Sequence, residues 1–467
     1  MTSQLDKQSA KKVVIMLEKN LPRVATEPAY RIITEDAKVS DDENTDYDAE
    51  VGIDGDKSRG AFNHSIVLEP RLEYELALRH IERDITETMY NLSSELSEVI
   101  DRNTTNNLSN SINKVLARCK EKKLGILNDI NNLRMLDGYN RWREEEAKKL
   151  AEMVQHHIQR LQSPENCERA RKLVCYLNRD CDFSCQLHYL VYCFVVSYAT
   201  YRTLILKSEG WRYNSYGWNK VFLPISPNCV YVSPFDRIVK WPGRHYSQVM
   251  APPTIAPSGE YQPYLPLSPP PHLAKRLNRF HGNPTAWWVG QFLKYLLRPQ
   301  PSMRDFLISG IRNLSWQHPI VGVFIQNSNL GGGLVEYMTY VEDYYRMLEG
   351  NGTQQVRRIF LASDDAQVIN GARSLYPHYQ IIGDPEVANG MWSSTNAALN
   401  TIILDIYLLS ISDHLVCAFS SHICRLAYEL MQTLHTDASQ RFMSVDQTYH
   451  FNISDIKTPT WTNRKKT

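Results

Sequence analysis

The feature that most constrains the fold is the run Ile320-Val321-Gly322-Val323-Phe324-Ile325, which holds no polar side chain. A strand with one face in water alternates polar and apolar residues, whereas a strand buried on both faces does not, so this run reads as the interior of a parallel sheet. Parallel strands need crossovers, and the chain has them. Arg358-Ile359-Phe360-Leu361-Ala362, Gln380-Ile381-Ile382 and Leu415-Val416-Cys417-Ala418-Phe419 read as further strands separated by helical stretches, and His422 to Gln432 reads as the helix after the last. Pro319 to Asn452 is therefore a Rossmann-like α/β unit.

Ligands of such sheets sit at the carboxyl ends of the strands. After the first strand comes Gln326-Asn327-Ser328-Asn329-Leu330-Gly331-Gly332-Gly333, with no charged residue before Glu336; after the second comes Ser363-Asp364-Asp365, and after the last Ser420-Ser421. Serines at a helix start cap backbone N–H groups, and the same groups suit a phosphate. The local pattern favours capping, and Asp364-Asp365 by themselves read as a solvated helix start. Asp405 is the stronger candidate, because a carboxylate inside an apolar helical stretch needs a partner.

Upstream, residues 1–65 are polar and acidic with few large apolar side chains, which predicts disorder. Leu68 to Ile158 carries apolar residues at helical spacing (Leu72, Leu76, Ile81, Ile85) and no proline after Arg71, predicting long helices broken near Asn103 to Asn107 and Leu136 to Asn140. The expected organisation is a coiled-coil-like helical stem at 66–165, packed on the body or paired with itself in a homodimer. An α/β body follows at 166–452, its nucleotide half at about 305–452, then a basic tail at 453–467. Within the body, Gln186 to Ala199 reads as a buried helix feeding the strand Thr203 to Leu206, and Pro252 to Pro271 as a surface loop.

Lys and Arg total 52 against 51 for Asp and Glu, so charge gives no argument for nucleic acid or an anionic membrane. Of the nine cysteines, Cys167, Cys175, Cys181, Cys185, Cys193 and Cys229 crowd one region and Cys417 and Cys424 come later. They admit disulfides, or a zinc site on Cys181 and Cys185 with Cys175 and Cys193, although no second Cys-x-x-Cys pair completes the usual spacing. Cys119 reads as a free thiol or a bridge between stems. Met1 to Ser65 has only the short apolar patch Val13 to Leu17, so no membrane anchor or signal peptide is visible.

Four stretches carry a resemblance. They are Ile403-Leu404-Asp405-Ile406 through Cys417-Ala418-Phe419-Ser420-Ser421-His422 to His435; Trp287-Trp288-Val289-Gly290-Gln291-Phe292 with Leu297 to Pro301; Thr203 to Leu206 with Trp211-Arg212-Tyr213; and Trp142 to Lys148. In this order, over about residues 138 to 452, the chain resembles the α1,6-fucosyltransferases that core-fucosylate N-glycans (glycosyltransferase family 23). The resemblance implies a two-layer, GT-B-like α/β fold behind a helical stem. It implies a Golgi lumenal setting and an inverting transfer of fucose from GDP-fucose to the innermost GlcNAc of an N-glycan, with no metal and no cofactor. It also implies the bridges Cys167–Cys229, Cys175–Cys193, Cys181–Cys185 and Cys417–Cys424, which belong to an oxidising compartment.

The implied donor site has Tyr213 near guanine, Ile402 and Asp405 in the base-reading segment, Asp364 and Asp365 as an acidic pair, Ser421 on the nucleotide side and Tyr337 as an active-site tyrosine. His422 stands where the family has glutamine. Tyr213, Asp365, Asp405 and Ser421 are expected to converge on one cleft. In the family the first strand ends His-Val-Arg-Arg-Thr-Asp-Lys, its first arginine gripping the diphosphate bidentately, and a glutamate a few residues on is the base. Here Phe324-Ile325-Gln326-Asn327-Ser328-Asn329-Leu330 takes that place, so Gln326 and Asn327 are degenerate catalytic positions. Glu336 aligns beside Tyr337, not with the base. Losing one charge-assisted contact to a developing anion costs about 3 kcal/mol, so the chain is expected to be weak or inactive. The family's small C-terminal SH3-type barrel is expected to be absent. Three explanations stand open: a weakened enzyme, a non-catalytic member that binds GDP-sugar, glycan or a partner, and an intact enzyme whose segment from Gln326 to Gly333 is distorted by a faulty gene translation.

Overall fold

A computed structural model describes residues 67–449 apart from 102–105, 179, 245, 254–267, 315, 327–332, 350–353, 391–394 and 448. The expected disordered segment 1–65, the tail 453–467 and most of the proline-rich loop lie outside the described residues. Three helices come first, α1 (Leu72–Asp101), α2 (Asn106–Leu136) and α3 (Asn140–Gln162), with the second break where the sequence places it and the first falling on residues outside those described. At the second break Gly138 has φ 81°, a conformation that a side chain would strain. α1 and α2 pack along each other, leaving Leu76, Ile81, Val115, Ile126 and Leu133 exposed.

The first layer is a four-stranded parallel sheet in the order β2-β1-β4-β3, made of β1 (Lys172–Tyr176), β2 (Thr203–Lys207), β3 (Ile238–Val239) and β4 (Val249–Met250). Between β1 and β2 runs α4 (Phe183–Ala199), buried almost throughout, as its apolar sequence requires. Asp182 caps it by accepting from the Cys185 N–H at 2.8 Å. Three disulfides pin this layer, Cys167–Cys229, Cys175–Cys193 and Cys181–Cys185; the fourth joins Cys417 to Cys424 with Cα atoms 6.1 Å apart. These pairs are the ones implied above and they occupy the cysteines that a zinc site would have needed; Cys119 is free.

Helices α5 (Pro271–Phe280), α6 (Pro284–Leu296) and α7 (Pro301–Asn313) bridge the layers, each opening on a proline where the missing N–H costs nothing. The second layer alternates β5 (Ile320–Ile325), α8 (Gly333–Glu349), β6 (Arg358–Ser363), α9 (Ala366–Leu375), β7 (Gln380–Ile382), α10 (Pro385–Gly390), α11 (Asn396–Ser410), β8 (His414–Cys417), α12 (His422–Met431) and β9 (Phe442–Ser444). Its five strands are parallel in the order β7-β6-β5-β8-β9, which puts the wholly apolar β5 in the centre. The last strand expected from the sequence runs to Phe419 but stops at Cys417. The Phe419 and Ser420 N–H groups turn instead to the Asp446 carboxylate, at 2.8 and 3.0 Å.

The layers meet along α12, which packs on α4 of the first layer, on the bridging helix α6 and on α11 of its own layer. The approach to α6 is close enough to require glycine: a Cβ on Gly290 would stand 2.3 Å from the Glu429 carbonyl oxygen.

Candidate functional site

Register places the candidate loops side by side. Ile325 pairs with Ser363 and Phe324 with Cys417, so Gln326, Asp364-Asp365 and Ser420-Ser421 leave the carboxyl edge of the sheet from three adjacent strands. Gln326 is half-buried there, and Asn327 lies outside the described residues. Asp365 accepts from the Gln367 N–H at 2.8 Å and so caps α9, the ordinary role expected of an acidic helix start. Ser421 departs from the capping expectation. It occupies the N-cap position of α12, with φ −79° and ψ 127°, yet its hydroxyl makes no cap bond.

Tyr337, in the first turn of α8, is buried, and its hydroxyl has no hydrogen-bond partner among the described residues. Burial pushes the phenol up to about 12, helped by the charges of Asp446 and the half-buried Glu336, so it stays a neutral donor. Asp446, which the sequence did not single out, moves the other way. Burial opposes its charge, but hydrogen bonds from Ser420, Ser444 and the Gln447 N–H outweigh that and hold the carboxyl below its usual range.

Asp405 sits on α11, which packs against β5 and β6, one turn after the buried Ile402. No ion pair links it to a cation among the described residues. Instead burial, reinforced by the charge of Asp384, lifts it to about 8 and keeps it protonated at neutral pH. Tyr213 is held in the first layer, its ring 6.1 Å from Phe183 and 5.5 Å from Trp211. The structure thus groups Gln326, the acidic pair and Ser421 at one edge, while the ring contacts of Tyr213 stay within its own layer.

Besides Asp446, four groups escaped the sequence reading, and two of them touch His422. His188 on α4 places Nδ1 2.9 Å from His422 Nδ1 and Nε2 3.0 Å from Glu429 Oε2. Tyr449 donates to Glu429 Oε1 at 2.8 Å, and Arg425 Nη2 lies 3.2 Å from His422 Nδ1. The end of β5 offers no cation, but α12 therefore brings one to the neighbouring strand end. His422, Arg425 and Glu429 recur at helical spacing on one face, a signal the sequence did contain. Nothing local marks His188. A 440 Å³ cavity between Gln354 to Arg357 and Pro377 to Gln380 opens at the other end of the strands, where Arg357 is already paired with Glu342 and Glu349. No helix among the described residues is long and apolar enough to cross a membrane, and no cluster of His, Cys, Asp and Glu among them could hold a metal.

A family model for alpha-(1,6)-fucosyltransferase N- and catalytic domains matches residues 4–450. An alpha-(1,6)-fucosyltransferase of Drosophila melanogaster is 50% identical over 469 residues, spanning 97% of this chain and 75% of the fly protein. One of Caenorhabditis elegans is 34% identical over 341 residues, spanning 68% of this chain and 60% of its own. Among solved structures, an Arabidopsis thaliana FUT1 mutant in complex with GDP aligns at TM-score 0.37 and 14% identity, over 67% of this chain and 77% of that one. NodZ alpha-1,6-fucosyltransferase co-crystallized with GDP aligns at TM-score 0.34 and 13% identity, over 55% and 91%. Superpositions that loose carry no argument. The sequence matches do, and by them the chain belongs to the alpha-(1,6)-fucosyltransferase family.

Proposed function

We propose that the chain transfers fucose from GDP-fucose to the innermost GlcNAc of an N-glycan in the Golgi lumen, with the donor lying across the carboxyl edge of the second sheet. Family membership supports the reaction. One observation supports the place: the buried Tyr337 hydroxyl, which no described group satisfies. An orphaned buried donor costs about 1–3 kcal/mol, a cost that a ligand oxygen would remove. On this reading Tyr213, Ile402 and Asp405 face guanine, while Ser421, His422 and the acidic pair Asp364 and Asp365 lie toward the ribose and phosphates. No metal or cofactor enters, and the four disulfides suit an oxidising compartment. The exposed apolar side chains of α1 and α2 are where a second copy would pair.

The rate follows from charge. Gln326 can hydrogen-bond a phosphate but cannot neutralise one, so leaving-group stabilisation falls to Arg425 and the N-terminus of α12. The test is fucose transfer from GDP-fucose to an agalactosylated biantennary N-glycan. Turnover is expected roughly a hundredfold below that of a relative with arginine at this place, and Gln326→Arg is expected to recover part of it. No transfer together with no GDP binding at millimolar concentration would overturn the reading.

A further inference from the structure

The first N–H groups of a helix have no partner within it, and a chain ordinarily spends some of them on its own cap. α9 does so: Asp365 takes the Gln367 N–H inside the helix start. α12 is held differently. The carboxylate of Asp446, two residues past β9, accepts from the Phe419 and Ser420 N–H groups, which lie outside the helix, and the Ser421 hydroxyl at the N-cap makes no cap bond. We propose that Asp446 is a positioning residue of the donor site, holding the turn between β8 and α12 so that the first-turn N–H groups of α12 and the Ser421 hydroxyl are presented to the donor diphosphate. The assignment of the diphosphate rests on the function proposed above; the hold on the turn does not.

The turn is fixed step by step. Cys417 pairs with Ser444, the Val445 N–H donates to the Cys417 carbonyl at 3.1 Å, and the Ser421 N–H donates to the Ala418 carbonyl at 3.0 Å. Between these bonds the Phe419 and Ser420 N–H groups run to the two oxygens of Asp446, at 2.8 and 3.0 Å. The Phe419 ring packs among Tyr428, Phe442 and Tyr449, so the strand side of the turn is wedged in place while the helix side hangs on the carboxylate. The Arg425 N–H then closes on the Ser421 carbonyl at 3.2 Å and the helix begins. A second observation points to a ligand here: the buried Tyr337 hydroxyl, which no described group satisfies, feels the charge of Asp446 and so belongs to the same part of the edge.

Asp446 is open to solvent at this edge, but it is not a replacement for the family's base. A carboxylate offers about four lone-pair sites. The Phe419, Ser420 and Gln447 N–H groups and the Ser444 hydroxyl take them, at 2.8, 3.0, 2.6 and 2.9 Å. Against partial desolvation, the bonds from Ser420, Ser444 and Gln447 hold the carboxyl below its usual range, which makes it a poor proton acceptor. The role needs two accepting oxygens. In Asp446→Asn one becomes an amide NH2 and opposes either the Ser420 N–H or the donors on the other oxygen, so one side of the turn comes loose. A released turn lets Ser421 cap its own helix, which withdraws the hydroxyl and a helix N–H from a ligand together.

The experiment sets GDP against guanosine, which lacks the diphosphate. Affinity for each is measured on the wild-type protein, Asp446→Asn, Ser421→Ala and the double variant, and exchange of the Phe419 and Ser420 amides is followed by NMR. Asp446→Asn is expected to bind GDP about tenfold more weakly while guanosine affinity stays within about twofold. Because both residues act through one turn, the double variant should be no weaker than the worse single variant, whereas independent losses would multiply to about a hundredfold. The two amides should exchange faster in Asp446→Asn than in the wild type. Unchanged GDP affinity, an equal loss for GDP and guanosine, as a merely structural role would give, or multiplied losses in the double variant overturns the proposal. Should Asp446→Asn fail to fold, Ser444→Ala removes one donor to the carboxylate and is expected to weaken GDP alone by about threefold; no such loss overturns the proposal equally. If the wild type binds no GDP, the function proposed above fails, and amide exchange unaltered by Asp446→Asn would show that the carboxylate does not hold the turn either.

Discussion

Asp437 and Asp405 are both carboxylates held inside the protein, and their surroundings drive them in opposite directions. Asp437, just beyond α12, lies 2.7 Å from the Arg79 guanidinium of the stem, faces His281 at 3.9 Å, and accepts from the Gly282 and Ser439 N–H groups. Arg134 of α2 joins the same cluster through Glu82. Burial alone would raise Asp437, but Arg79, His281 and Arg134 overcome it and hold the carboxyl well below its usual range. Asp405, more buried still and with no cation to offset that burial, rises. Where the chain supplies guanidinium groups the carboxylate is a clamp between stem and body; where it supplies none burial keeps the carboxyl protonated.

Removing the clamp tests the first half. Asp437→Ala leaves Arg79 facing an emptied site and should cost about 3 kcal/mol, read as a lower Tm with early loss of hydrogen-exchange protection in α1. A Tm within about a degree of wild type would break the comparison. Because the folded pKa of Asp437 is depressed, its contribution is complete above the unfolded value of about 4 and drains away as pH falls below it. Acid should therefore free the stem before the sheets unfold.

Asp405→Asn tests the other half with the opposite sign. A carboxyl whose folded pKa is raised destabilises the fold progressively as pH climbs from about 4 to about 8. The asparagine variant should thus be more stable than wild type above neutrality, by about 1–2 kcal/mol, while binding GDP about tenfold more weakly. Parallel Tm-against-pH curves for the two proteins would show that Asp405 is solvated or paired after all. The smallest effect belongs to Tyr337→Phe. Deleting an orphaned hydroxyl should leave stability within about 1 kcal/mol of wild type, or raise it, and lower kcat for fucose transfer. A marked loss of stability would mean that the hydroxyl has a partner in the folded protein.

The two sheets differ in how far the sequence discloses them. β5 and β6 are legible because an unbroken apolar run has few other uses, and α4 because almost every residue in it is apolar. β9 and the two-residue strands β3 and β4 are not, since pieces that short owe their pairing to neighbours already in place. At the site, Ser421 and Asp405 stand out from local context, but the local rule misread the serine, which does not cap, and could not tell that burial would leave the carboxyl protonated. Residues whose role depends on the other layer, such as His188, or on a carboxylate returning from beyond the last strand, such as Asp446, have no local signature. Their partners lie 234 residues away and 26 residues away.

The clamp between Arg79 and Asp437 also has a consequence for how the protein is made. The two residues are 358 positions apart, and at about 5–20 residues per second the stem leaves the ribosome roughly 20–70 s before its acidic partner exists. The contacts between α1 and α2 are local enough to form at once. During that wait Glu82 is the carboxylate that Arg79 pairs with among the described residues of the stem, while Glu75 already has Arg143 of α3. Closure of the stem is thus a late event in biosynthesis, open only to a chain translated through Asp437.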